Sequence, residues 1–228
     1  MSSLATLLLL SDSRLPAGGH AHSGGLAPAV EGGSVHDLPS LEAFLLGRLS
    51  TAGLLAASVA ARAAELAERY DQDPSLAGQQ HVPTGLRLLD AELEARMAAP
   101  AARTASRAQG RGLLRVASDA WPSPLYAWLV PPPHLAVACG VVAYAAGCGA
   151  DAASVAALGS VTAPASAAVR LLGLDPMAVT ALLARLAATV DEVARRAAEP
   201  GPLPAASAPL LDLLAHAHQR AEVRLFAS

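Results

Sequence analysis

Between His134 and Val169 the chain carries one formal charge, Asp151. Membrane spans need about 20 apolar residues each, but helices buried on every side also read as apolar all round. Pro164, Gly159 and many Ala and Ser residues leave the second half of the stretch only weakly hydrophobic. The first expectation is therefore a pair of buried helices at about 134–149 and 151–173. A small helical membrane protein built on residues 134–173 is the alternative.

The remaining sequence agrees with helices. Alanine is the best helix former, with Leu and Arg close behind. Apart from Val, the β-branched and aromatic residues that suit strands are scarce. With 228 residues, 53% of them apolar, there is enough chain for one substantial core. There is no Lys, Asn or Ile, and every Lys-or-Arg position is Arg. Without Lys there is no Walker P-loop, whose Lys reaches the phosphates, and no Schiff-base catalysis. If nucleotide is involved, a partner binds it. A net charge of −3 offers no basic field for nucleic acid. Cys139 and Cys148 are nine residues apart, which on one helix is about 900° and opposite faces. They read as buried structural thiols of a cytoplasmic protein, neither a zinc site nor a disulfide. Leu7 to Leu10 is too short for a signal-peptide core and lacks a basic flank.

Along the chain, residues 3–11 read as a short apolar helix broken at Pro16. Gly18, Gly19, Gly24 and Gly25 mark a tightly bent or closely approached backbone. Leu26 to Glu31 adds a short helix closed by Gly32-Gly33. Ser40 reads as the N-cap, with Leu38 ahead of it, of a long helix from Leu41 to Arg69. Leu41, Leu45, Leu49, Leu55, Val59 and Leu66 recur along it at helical spacing. A loop over 70–83 and a helix over 84–98 follow, the helix ended by Pro100. A helix over 101–119 carries Arg103, Arg107, Arg111 and Arg115 at i, i+4 spacing, which reads as a solvated basic face rather than a partner contact. Trp121 to Pro133 is a connection. Asp175-Pro176 caps and opens a helix to about Ala198. A linker over Pro200 to Pro209 leads to a last helix at about 209–220 and a short tail. The expected fold is all-α: one domain over 1–228, a bundle of about eight to ten helices, with a glycine-rich N-terminal arm (1–33) and a linker, last helix and docking tail (200–228).

Two segments carry a resemblance. Ser11-Asp12-Ser13-Arg14-Leu15-Pro16-Ala17-Gly18-Gly19-His20-Ala21-His22-Ser23-Gly24-Gly25-Leu26 resembles the urease accessory protein UreF family, in which a short apolar helix is followed by Leu-Pro-x-Gly-Gly, an aromatic, Ser or Thr, Tyr or His, Ser, x and Gly-Leu-Glu. His20 stands where the aromatic is usual, His22 at the Tyr/His position, and Ala27 in place of Glu. The chain's end, His218-Gln219-Arg220-Ala221-Glu222-Val223-Arg224-Leu225-Phe226-Ala227-Ser228, is similar to the family tail at its two ends. His134 to Gly147 resembles the family's apolar helix, and Ala168-Val169-Arg170-Leu171 its Ala-Val-Arg-Leu stretch. The aromatics usual before Arg170 are absent, so a homodimer is left open.

The resemblance implies a non-enzymatic urease maturation factor without a cofactor. Such a factor binds the accessory protein UreD (also called UreH), recruits the nickel-carrying GTPase UreG and presents it to apo-urease. No catalytic residue and no metal ligand is expected. The residues carried over as partner-binding are Arg14, Pro16, Gly18, Gly19, His20, His22, Ser23 and Gly25 in the arm. Arg170, His218, Arg224, Leu225, Phe226 and Ser228 complete the set. Read from the residues alone, His20-x-His22 lacks further ligands for nickel and reads as packing in a turn. His216 and His218 diverge on a helix. Leu225 and Phe226 beside Arg224 are the residue types that anchor interfaces. Arg170 is open between a buried structural partner and a surface contact, with an arginine finger as a further reading of Arg170 or Arg224.

Overall fold

A computed structural model describes residues 3–12, 14–17, 19–73, 84–206 and 208–219. Among them the fold is all-α, with no strand. The helices are α1 (Leu4–Leu10), α2 (Leu26–Glu31), α3 (Leu38–Arg48), α4 (Leu54–Asp71), α5 (Thr84–Arg96), α6 (Pro100–Ala120), α7 (Leu135–Ala145), α8 (Ala152–Leu172), α9 (Pro176–Ala197) and α10 (Pro209–Gln219). Residues 74–83 of the expected loop, Gly18, and Arg224, Leu225, Phe226 and Ser228 of the expected tail lie outside the described residues.

The hub is α4, packed against α7, α8 and α9. Its inward positions are mostly alanine, including Ala57, Ala60, Ala63, Ala64 and Ala67. Small side chains let neighbouring helix backbones approach closely. The tightest approach is at Gly140 of α7, where an added Cβ would sit 2.2 Å from the Ala60 carbonyl oxygen. Around this contact the core divides into three apolar clusters. One joins α2, α3, α8 and α9; one joins α4, α5 and α7 with the 124–128 turn; one places α1 and α6 on α4 and α7. Leu41, Leu45 and Leu49 are fully buried in the first, where each contributes about 1.5–3 kcal/mol by burial.

The long helix differs from expectation at both its start and its middle. Its N-cap is Asp37, not Ser40: Asp37 Oδ1 accepts from Ser40 N at 2.9 Å, and Ser40 Oγ accepts from Asp37 N at 3.0 Å. Ser40 is thus the far half of a capping box, and the helix opens at Leu38 with Pro39 in its first turn, where a missing N–H costs nothing. A π turn at Leu49–Gly53 then separates α3 from α4. It shifts the inward phase by one residue, so buried Leu49 is followed by buried Leu54 and Leu55. Pro100 likewise opens α6 rather than merely ending α5. Asp175 caps α9 as expected, accepting from Met177 N at 3.0 Å.

The two thiols are free and buried, and burial pushes the Cys139 thiol up to about 12. Cys148 lies beyond the end of α7, so the two are not opposite faces of one helix. Two helical stretches, Leu38–Asp71 and Gly149–Leu172, are long and apolar enough to cross a membrane by length and composition, while Leu135–Ala145 is shorter than a span. Both long stretches sit in the bundle's core, with α4 between α7, α8 and α9 and with α8 against α2, α4 and α9.

Candidate functional site

Local hydrogen bonds shape the described residues of the glycine-rich arm. Asp12 turns back on Arg14, accepting from its backbone N at 2.8 Å and from Nε and Nη2 at 3.0 and 2.6 Å. The Arg14 side-chain and backbone hydrogen bonds lower the Asp12 carboxyl to about 2. The pair is exposed, which makes it a shape-setting turn more than a source of stability. Pro16 is exposed, and Ala17 passes over α6 at Gly112, where a Cβ would sit 2.3 Å from the Ala17 carbonyl oxygen. Gly19–Ala21 then forms a 3-10 turn that contains His20, with His22 N donating to Gly19 O at 3.1 Å.

Ser23 is fully buried and its Oγ accepts from Ala27 N at 3.0 Å, tying the arm to the first turn of α2. Gly24 and Gly25 follow with φ of +63° and +89°. Two successive left-handed residues exclude side chains, which is the physical reason for glycine at both. Gly24 lies over the guanidinium of Arg48, where an added Cβ would sit 3.2 Å from Cζ, and a Cβ on Gly25 would sit 3.4 Å from Leu211 of α10.

The last helix therefore meets the arm. It packs on α2 and α6, and Asp212 in its first turn accepts from Ala99 N at 3.2 Å. Leu214 reaches the core, while Leu210 and Leu213 remain 57% and 67% exposed. On α1 the same division holds: Leu10 is buried, whereas Leu4 and Leu8 are 69% and 62% exposed. Two terminal helices thus present uncovered leucines. His218 falls in the last turn of α10. Arg170 is exposed on the last turn of α8.

Two features escaped the sequence reading. One is Arg48, at the end of α3. Its Nε donates to the Ser160 carbonyl at 2.9 Å, and burial lowers its pKa to about 10. The other is an ion network that corrects the basic-face reading of α6. Arg107 Nη1 pairs with Asp90 at 3.0 Å and Nη2 with Glu94 at 2.6 Å, and Arg103 Nε pairs with Glu94 at 3.1 Å. Fully buried His134 places Nε2 2.7 Å from Glu94 Oε2 and donates its backbone N to Asp90 at 2.8 Å. Facing a carboxylate, Nε2 carries the proton, and the buried Nδ1 has no partner among the described residues. Of the four stripe arginines, Arg111 and Arg115 remain exposed.

Burial pushes the Glu94 carboxyl up, but the hydrogen bonds from Arg107 and His134 outweigh it and hold it below its ordinary 4.5. A carboxyl lowered in the folded state stabilises above its unfolded pKa and loses that contribution as pH falls through the folded value. Glu94→Gln should accordingly be less stable than the parent at neutral pH. The difference should shrink as the pH of urea denaturation is lowered below about 4.5; a pH-independent difference would count against this network.

A groove of about 590 Å³ lies between α4, α5 and residues 197–203. Its charged walls are internally paired, Arg96 with Glu92 and Arg69 with Glu65, and none of the arm or α10 residues lines it. Among the described residues no group of three or more His, Cys, Asp or Glu is placed to hold a metal.

Comparison with known proteins places this geometry. The family model for UreF matches residues 35–187. The chain belongs to the UreF family of urease accessory proteins. It is 47% identical over 229 residues to the urease accessory protein UreF of Mycolicibacterium vanbaalenii, covering all of both chains. It is 48% identical to that of Mycobacterium sp. (strain JLS) and 42% to that of Mycobacterium tuberculosis, again over all of both chains. The UreF match spans α3 through the first half of α9, so the arm and α10 lie outside it and are covered by the full-length relatives alone.

Proposed function

We propose that this UreF-family chain is a non-catalytic scaffold of urease maturation in the cytoplasm. It binds UreD (UreH) through the arm, α10 and the tail, and recruits the GTPase UreG so that nickel, the cargo, reaches apo-urease. The observation that supports this reading most is the meeting of arm and last helix at Gly25 and Leu211, with leucines left exposed on α10 itself. Exposed apolar residues on a terminal helix that meets the arm are the raw material of an interface. Arg14, Pro16, Gly19, His22, Ser23 and Gly25 are the arm's contribution, directly or by fixing its path. Gly18, His20, His218, Arg224, Leu225, Phe226 and Ser228 extend the same docking surface. Arg170, on another part of α8, serves a separate contact. Nucleotide chemistry belongs to the partner, since the chain has no Lys to hold phosphates.

The test is co-purification of the full chain with UreD and UreG, beside a variant ending at residue 208. The full chain should capture UreD and, through it or beside it, UreG; the shortened chain should fold and capture neither. A folded full-length chain that captures neither protein would overturn the scaffold reading. GTP turnover by the purified chain would overturn its non-catalytic part.

A further inference from the structure

Arg48 is a half-buried cation with no carboxylate partner among the described residues. The arm crosses its guanidinium at Gly24, and α8 meets it through the Ser160 carbonyl. Its one hydrogen bond among the described residues runs from Nε to a neutral carbonyl, that of Ser160. No Asp or Glu among the described residues stands within ion-pair distance, and burial alone sets its depressed pKa. Arg107, Arg103 and Arg96, also partly enclosed, each have a carboxylate, while Arg62 bonds the Gly201 carbonyl at the rim of the groove. A partly desolvated charge left unpaired is costly, and a glutamine or methionine would fill the same space more cheaply in the free chain.

The geometry also limits what could pair with it. With Nε engaged, the guanidinium has its two Nη groups left, and neither is a sealed, unsatisfied atom. Two parallel N–H donors on a planar cation match the two oxygens of a carboxylate. One positive charge suits one monoanion; a phosphate dianion would call for a second cation, and among the described residues no other arginine is joined to Arg48 by a hydrogen bond or a shared carboxylate. Gly24, which covers the guanidinium, is the neighbour of Gly25, which touches α10. The unpaired cation therefore adjoins the surface assigned above to docking.

We propose that Arg48, tied to Ser160 beneath Gly24, is the receptor for one carboxylate side chain of the protein that docks on the arm. This inference rests on the scaffold reading. It predicts an opposition that a merely structural arginine would not show: losing the charge helps the free chain and harms the complex.

The experiment compares full-length wild type, Arg48→Gln and Arg48→Lys. Each chain is melted alone and then titrated with UreD at low and high salt. Arg48→Gln should melt at or above the wild-type temperature. It should bind about thirtyfold more weakly, the size expected when one side of an enclosed charge pair is removed, and its binding should respond less to salt. Arg48→Lys, which keeps the charge but not the fork, should fall between. Wild-type affinity for Arg48→Gln would overturn the proposal while leaving the scaffold reading intact. A large fall in melting temperature for both variants would also overturn it, by making Arg48 a structural pin. If the folded wild type does not bind UreD, the scaffold reading fails and this proposal fails with it.

Discussion

Gly140→Val should cost about 3 kcal/mol or more of folding stability, at or beyond the upper end of ordinary overpacking. The added Cβ would lie 2.2 Å from the Ala60 carbonyl oxygen, 2.7 Å from Ala63 Cβ and 2.9 Å from Ala64 N. All three atoms belong to the backbone or the first side-chain carbon of α4, so no rotamer change relieves the clash. The two helices must separate, and the alanines that pack between them lose their contacts together. With total stabilities of about 5–15 kcal/mol for native proteins, a loss of this size is a large part of the whole. Urea denaturation measures it. A loss below about 1 kcal/mol would show that α4 and α7 can part without harm.

Gly112→Val should leave the core standing and displace the arm. Here the added Cβ would meet the Ala17 carbonyl at 2.3 Å, and the helix itself gains from replacing glycine. The melting temperature should fall far less than for Gly140→Val, since Leu15 and Ala17 are only partly buried against the cluster of α1, α6 and α7. Capture of UreD should fall more than about tenfold, because the arm would be pushed off its path over α6, a loss of about 1.4 kcal/mol or more in binding. Unchanged capture would remove the arm from the docking surface. The contrast between two glycine-to-valine changes, one global and one local, separates packing from function.

Much of the fold is legible in the residues because local chemistry decides it. Gly25 before and Gly32-Gly33 after leave Leu26–Glu31 as the one helical interval between them, and the structure has that helix. Asp175-Pro176 announces α9 in the same way. The capping error at Ser40 arises because Ser40 and Asp37 are reciprocal partners, and sequence gives no rank between two good capping residues three apart. The π turn leaves a trace in the leucine pattern, where Leu49 and Leu54 break the four-residue step of Leu41, Leu45 and Leu49, but a single five-residue step is easily read as tolerance in the period.

The site is less legible, because its key relations join distant parts of the chain. The spacing of Arg103 and Arg107 fixes that they share a helix face; it is silent on Asp90 and Glu94, which the preceding helix brings against that face. His134 follows three prolines and reads as the start of an apolar helix, and nothing in that reading tells that its side chain is wholly buried on Glu94. Arg48 looks like one more surface arginine until the arm is folded over it at Gly24. The arm's glycines are readable as closely approached backbone, and what approaches at Gly24 and Gly25 is Arg48 and Leu211, which only the tertiary fold supplies. The family resemblance rests on the arm and the tail, and the arm's path is the part the structure adds.

The most direct measurement of the central claim is amide hydrogen exchange of the full chain, alone and saturated with UreD. The scaffold account predicts slowed exchange in residues 19–31 and 209–219, with the faces of α4 and α5 that line the 590 Å³ groove unchanged. Protection confined to that groove, with exchange in the arm and α10 unaltered, would contradict it.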